Sequence, residues 1–271
     1  MQIRSTSPTH PDSVRILTVG NSFSQDSMSY LWELLHCGGI PLVTLGNLFY
    51  PGCSLAQHLE FARNRTPVRS YEKNVSGAWT ARENVCLYDG IADEEWDIIV
   101  FQQASYVSGM ADSYGQALTG LLDLVKPLAP RAKFCWNMTW AYQSDSTHPG
   151  FSNYGCDQMQ MYRMILDCLE HCIKPEQRFE KIIPTGTAIQ NARTSFLGDT
   201  LTRDGYHLSF ELGRLIAGLT WFCALTGYPA EAAAYNPAPE RITPQMLAVA
   251  AESVNNAIRA PERVTRSTFT S

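Results

Sequence analysis

With 271 residues, the chain is long enough to bury a substantial core, and 45% hydrophobic, 17% charged and 11% aromatic residues describe an ordinary globular protein. A net charge of −5 without clustered Lys and Arg argues against a nucleic-acid partner, because phosphate binding requires concentrated positive charge. The longest apolar stretch, LIAGLTWFCALTG at 215–227, is too short to span a bilayer, and the N-terminus lacks the basic start and apolar core of a secretory signal. These features predict a cytoplasmic protein with no membrane partner; its oligomeric state stays open.

In chain order, VRILTVG (14–20) reads as a first strand, and SMSYLWELLHCGG (27–39) as a helix with Tyr30, Leu31, Leu34 and Leu35 at helical spacing and Gly38 as its C-cap. PLVTLGNLFY (41–50) is the second strand, followed by the turn PGCS and the helix LAQHLEFARN. Residues 65–92 break this rhythm with strand-like stretches around Ser76 and Gly77, which predict a β-hairpin excursion carrying Trp79. DIIVFQQAS (97–105) has the continuous apolar run of a strand covered on both faces, so it belongs in the middle of a sheet. Then come the helix YGQALTGLLDLVKPLAP, the strand KFCWNM (133–138), the helix DQMQMYRMILDCLEHCI (157–173), the strand EKIIPTG (180–186), the crossover helix ELGRLIAGLTWFCALTG and a helix near 244–258.

Strands alternating with helices imply a five-stranded parallel sheet with helices on both faces, a three-layer α/β/α domain spanning residues 14–258. Residues 1–13 and 259–271 lack periodic apolar positions and are expected to be loose termini. Functional groups in such sheets gather beyond the carboxyl ends of the strands, which directs attention to Gly20–Ser22, Tyr50–Cys53, Gln102–Ser105, Asn137–Tyr142 and the loop after Gly186.

The 8 cysteines are spread over a chain that needs no covalent staples, so free thiols are expected. Cys168, His171 and Cys172 lie close on one helix and could meet a metal together with Cys156, but no paired CxxC stands elsewhere, and the pattern reads as a partly buried helix without metal. His58 and His148 have no partner pattern and are expected to be core or surface histidines.

Two readings compete at Ser22. Ser22-Phe-Ser-Gln25 fits the capping box S-x-x-Q, which would tie the hydroxyl to the helix start. Alternatively the strand-to-helix turn presents Ser22 as a nucleophile, which needs a base and a group that orients the base. TRDGYHLS (202–209) offers both: Asp204 and His207 stand three apart, so the carboxylate can reach one imidazole nitrogen while the other faces outward. GNSFS after the first strand and DGYH before the last crossover helix both fall on the expected carboxyl edge.

GNSFS (20–24) resembles the first block of the SGNH, or GDSL-type, hydrolases, and DGYH (204–207) resembles their last. Combined with FQQAS, the blocks are similar to a bacterial branch of that superfamily known only as a domain of unknown function, over roughly residues 14–225. The resemblance implies a flavodoxin-like fold, with Ser22 as nucleophile, His207 as general base, Asp204 as its orienter and no cofactor or metal. It further implies oxyanion donors from the Ser22 N–H, at a helix start, and from Gly52 in YPGCS. The superfamily's G-x-N-D block is absent; Gln102 and Gln103 stand in its place as donor candidates, with Asn137 as a fallback, and both glutamines equally suit tying down loop backbone. The α/β-hydrolase pattern fits worse, since Gly20-Asn-Ser22-Phe-Ser24 is not G-x-S-x-G and lies on the first strand.

WNMTWAY (136–142) places Trp136, Trp140 and Tyr142 beside the expected site, where they would bind a sugar ring or roof the core. The sequence therefore predicts a serine esterase for a small acyl, chiefly acetyl, ester on a small molecule or oligosaccharide. A lipase- or thioesterase-type hydrolase and a noncatalytic carbohydrate-binding protein are the alternatives.

Overall fold

A computed structural model describes residues 11–270. In chain order the elements are β1 (Ser13–Gly20), α1 (Ser22–Met28), α2 (Leu31–Cys37), β2 (Leu42–Phe49), α3 (Leu55–Asn64), β3 (Ser70–Asn74), β4 (Trp79–Arg82) and α4 (Leu87–Ala92). They continue with β5 (Ile98–Phe101), α5 (Gly115–Leu128), β6 (Lys133–Asn137), α6 (Gln158–Cys168), β7 (Phe179–Ile183), α7 (Thr185–Ala192), α8 (Leu212–Thr226) and α9 (Pro244–Arg259).

The sheet has 7 strands in the order β4-β3-β2-β1-β5-β6-β7, two more than the sequence suggests. The expected parallel set is present as β2-β1-β5-β6-β7, the flavodoxin-like order. The extra pair comes from the hairpin excursion, whose strands add antiparallel to the β2 edge instead of standing apart from the sheet. Edge strand β4 is exposed along its length and carries Arg82, bonded to Asp93 at 2.7 Å, a charged edge that resists further strand pairing.

Helices cover both faces because the central strands are apolar on both sides: Ile16, Leu17 and Val19 of β1 and Ile99, Val100 and Phe101 of β5 are all buried. Among the described residues no helix is long and apolar enough to cross a membrane.

Three local readings change. The expected helix over 27–39 is two helices that meet at Tyr30, and α1 starts earlier, at Ser22. The strand expected to run to Gly186 stops at Ile183, and the short helix α7 begins at Thr185. The C-terminal stretch is not loose along 265–269: Asn191 Oδ1 accepts from Thr265 N–H at 2.7 Å, Thr194 Oγ1 from Ser267 N–H at 2.8 Å, and Phe269 O from Phe196 N–H at 2.9 Å. Polar side chains on α7 and after it fasten this tail, which is why no apolar periodicity marks it. Residues 1–10, also expected to be loose, lie outside the described residues.

The switch in strand order falls between β1 and β5, and the residues that follow these two strands define the crevice where such sheets bind ligands. A cavity of about 1010 Å³ opens at the opposite edge, among the starts of β1, β5, β6 and β7, lined by Arg15, Trp96, Arg131 and Lys133.

Candidate active site

At the end of β1 the chain turns sharply into α1, and Gly20 allows the approach: a Cβ there would lie 2.2 Å from Ser24 Oγ. Asn21, not Ser22, is the N-cap. Its Oδ1 accepts from Phe23 N–H at 3.0 Å, and its Nδ2 donates to Cys53 O at 3.0 Å. The expected capping box is thereby overturned, and Gln25 instead donates to Glu72. Ser22 becomes the first helical residue, with its hydroxyl free to point elsewhere and its N–H beyond reach of any intrahelical acceptor.

That hydroxyl lies 2.8 Å from His207 Nε2, and His207 Nδ1 lies 2.6 Å from Asp204 Oδ2. A carboxylate only accepts, so Nδ1 carries the proton of the neutral imidazole and Nε2 is left to accept from Ser22. Local structure sets the pair's geometry. Asp204 Oδ1 accepts from the N–H groups of His207 (2.8 Å) and Tyr206 (3.2 Å), closing a turn around Gly205, whose φ of +88° favours glycine. Partial burial pushes the Asp204 carboxyl up, but the hydrogen bonds from the His207 ring and backbone outweigh it and hold the carboxyl below its ordinary value.

Two supports hold this loop against α1, the first of them missed in the sequence reading. Asp26, fully buried one turn beyond Ser22, accepts from Leu208 N–H (2.8 Å), Arg203 Nη1 (3.0 Å) and Arg214 Nε (2.8 Å). Trp140 stacks on Phe23 at 4.0 Å between ring centroids and 3° between planes, and donates from Nε1 to Tyr206 O at 2.7 Å. A signal for Asp26 existed in the sequence: GNSFSQD places a carboxylate four residues after the serine, on the same helical face.

The oxyanion candidates divide. Gly52 occupies an exposed turn after β2 with φ +60°, and no described residue accepts from its N–H. Gln102 is buried in a chain of amides: its Nε2 donates to Asn21 Oδ1 at 2.8 Å, and its Oε1 accepts from Asn137 Nδ2 at 2.9 Å. Asn137 Oδ1 in turn accepts from Thr185 Oγ1 (2.7 Å) and Trp221 Nε1 (3.2 Å). Gln102 and Asn137 thus fix Asn21, and with it the start of α1. Gln103 is not a donor toward Ser22. Its Nε2 donates to Ser113 O and Oγ, each at 3.0 Å, while its Oε1 accepts from Leu55 N–H and Ala104 N–H, so it ties loops together.

The aromatic run is also corrected. Trp136, Trp140 and Tyr142 are all buried and offer no sugar platform. Trp136 sits mid-sheet on β6 against Tyr114 and Phe179, and Tyr142 pairs its hydroxyl with Ser105 Oγ at 2.8 Å. Because the strand and the loop after it are covered on both faces, these rings roof the core. Trp79 lies on the exposed edge strand β4.

All 8 cysteines are free thiols, and buried Cys168 neighbours Cys172 on the helix that continues through 169–173. Among the described residues no group of three His, Cys, Asp or Glu side chains is arranged to share an ion.

His58 is a core histidine: fully buried, with Nε2 3.0 Å from Gly20 O. Burial pushes it down from 6.5 to about 4, against the opposing effect of the Gly20 carbonyl. Between those two pH values the unfolded chain binds a proton that the folded chain refuses, so stability present above 6.5 is lost as pH falls toward 4. His58→Gln is expected to remove about 2 kcal/mol of that acid loss. Urea unfolding of both proteins at neutral pH and at roughly pH 4.5 measures the difference, and parallel pH curves would refute it.

A doubly wound sheet with a serine after its first strand and an Asp-x-x-His loop before its last crossover helix is the SGNH, or GDSL-type, hydrolase fold. Residues 15–257 match the family described as "Domain of unknown function (DUF4886)", and the chain belongs to that family. A DUF4886 protein from Bacteroides uniformis is 40% identical, with a TM-score of 0.88 over 94% of this chain and 98% of that one. A candidate SGNH hydrolase from Slackia heliotrinireducens shares the fold at 19% identity and TM-score 0.56, over 79% of this chain and 99% of that one. An acetylxylan esterase from Geobacillus stearothermophilus does so at 12% identity and TM-score 0.50, over 77% and 92%. No curated protein sequence matches significantly.

Proposed function

We propose that this single-domain protein is a cofactor-independent serine esterase that removes a small acyl group, chiefly acetyl, from a carbohydrate. The unbroken row Asp204–His207–Ser22, with contacts of 2.6 and 2.8 Å, carries the reading. A noncatalytic sugar-binding protein has no need of a serine held against a base in this way.

Ser22 Oγ attacks the ester carbonyl as its proton passes to His207 Nε2, and Asp204 stabilises the imidazolium that forms. The oxyanion is assigned to the Ser22 and Gly52 N–H groups, which donate to no acceptor among the described residues. Collapse breaks the bond to the alcohol oxygen, which takes the proton back from His207. Water, deprotonated by the same nitrogen, then releases the acid and restores Ser22. The acetyl-sugar substrate is supported by the fold shared with the acetylxylan esterase and by the ring wall described below.

Phenylmethylsulfonyl fluoride tests the nucleophile directly. One sulfonyl group is expected on Ser22, located by peptide mass spectrometry, with parallel loss of p-nitrophenyl acetate hydrolysis. Labelling elsewhere, or none in an unfolding-free control, would refute the assignment.

A further inference from the structure

The base of an ester hydrolase returns its proton to the departing alcohol, so the alcohol oxygen must pass beside His207 Nε2. Side chains that flank His207 therefore meet the alcohol, whereas the acyl group lies across the carbonyl carbon from it. Two half-buried rings flank it. Tyr206 lies 4.2 Å from the His207 ring, centroid to centroid, and His148 lies a further 4.6 Å on, edge-on to Tyr206 at 67°. Buried Tyr142 backs them at 5.8 and 4.9 Å.

The tautomer of His148 is set by its surroundings. Its Nδ1 accepts from Gly150 N–H at 3.0 Å, where it caps the short helical turn over 149–154, so the neutral ring carries its proton on Nε2. Burial and the nearby His207 lower its pKa, against a smaller pull from Asp204, which favours that neutral form. Neither His148 Nε2 nor the Tyr206 hydroxyl has a hydrogen-bond partner among the described residues.

We propose that Tyr206 and His148 form the leaving-alcohol subsite and that it takes a sugar ring; this rests on the esterase reading above. A sugar presents an apolar C–H face to the Tyr206 ring and hydroxyls to His148 Nε2–H and Tyr206 Oη. An alkyl alcohol would cover those polar atoms and leave them unsatisfied. The subsite is one layer outside the buried aromatic run, on the loop that also carries the base.

Ethyl acetate, ethyl butyrate and a peracetylated methyl pyranoside separate the possibilities in the full chain. Tyr206→Leu and His148→Phe are each expected to lower kcat/KM on the glycoside about tenfold relative to ethyl acetate, chiefly through KM, from lost ring contact and hydrogen bonding. The acetate-to-butyrate ratio stays constant, since the acyl side is untouched. Tyr206→Phe keeps the ring packing, guards against misfolding, and is expected to lose about threefold on the same ratio. Equal losses on both acetates, or a changed acyl preference, would overturn the subsite while leaving the esterase standing. A folded wild-type chain that hydrolyses none of the three esters would remove the esterase reading and the subsite together.

Discussion

Ser22→Ala is expected to abolish ester hydrolysis while leaving the fold intact, with kcat on p-nitrophenyl acetate falling roughly 10⁴- to 10⁶-fold. The loss is large because the row acts as a unit: without the hydroxyl, His207 has no proton to take and the acyl group has nowhere to go. Stability is spared for a reason specific to this turn. Asn21 supplies the cap, so deleting the Ser22 hydroxyl removes only its contact to His207. The melting temperature should shift by the equivalent of about 0.5 kcal/mol or less, against about 1 kcal/mol if Ser22 were the cap. Asp204→Asn should give a smaller loss in kcat, since Nε2 would still be present but the preferred tautomer would not. Residual activity of Ser22→Ala near the wild-type rate would overturn the nucleophile assignment.

Asp26→Ala is expected to produce the largest loss of stability. The carboxylate is fully buried and answers three donors from the 203–214 segment; its removal leaves Arg203 and Arg214 facing each other and Leu208 N–H unpaired. Both arginines also lie over the Phe210 ring, at 4.7 and 4.8 Å, so they cannot part without losing that contact. Their side chains remain 25% and 22% exposed, and water will absorb part of the repulsion. The net cost is about 3 kcal/mol, or roughly 6–10 °C in melting temperature for a chain of this size. Because Leu208 adjoins His207, kcat should also fall, by about tenfold or more, since the base drifts from Ser22 when the loop loosens. Asp26→Asn, which keeps an acceptor but not the charge, should fall between. Wild-type melting in Asp26→Ala, measured by circular dichroism, would show that the clamp does not hold the loop.

The parts of this site legible in the sequence are those whose meaning is local. Asp204 and His207 sit in one turn, so their spacing alone brings carboxylate and imidazole together, and the small residues after β1 mark the turn that carries Ser22. The strand alternation gave the parallel sheet for the same reason: each strand and its helix lie within one stretch of chain. What escaped depends on partners distant in sequence. Asn21 and Ser22 are both good helix caps, and only the contacts to Cys53 and Gln102 decide between them. Gln103 looks like a donor until Ser113 and Leu55 are seen to occupy it. Trp136 lies near the end of a strand and Trp140 and Tyr142 follow it, where exposure is the usual expectation, yet all three are buried. The hairpin was visible as a hairpin, but its attachment to β2 requires the register of a strand more than twenty residues away.

Ser22 and His207 lie 185 positions apart, so their contact forms only after the intervening strands and helices have assembled between them. On the proposed esterase reading, turnover would report complete refolding: as denaturant is diluted, catalytic rate should recover with the slowest step, after the spectroscopic signals of helix formation. A protease nick that lets the two halves of the chain separate would silence the protein even where each half kept its own helices.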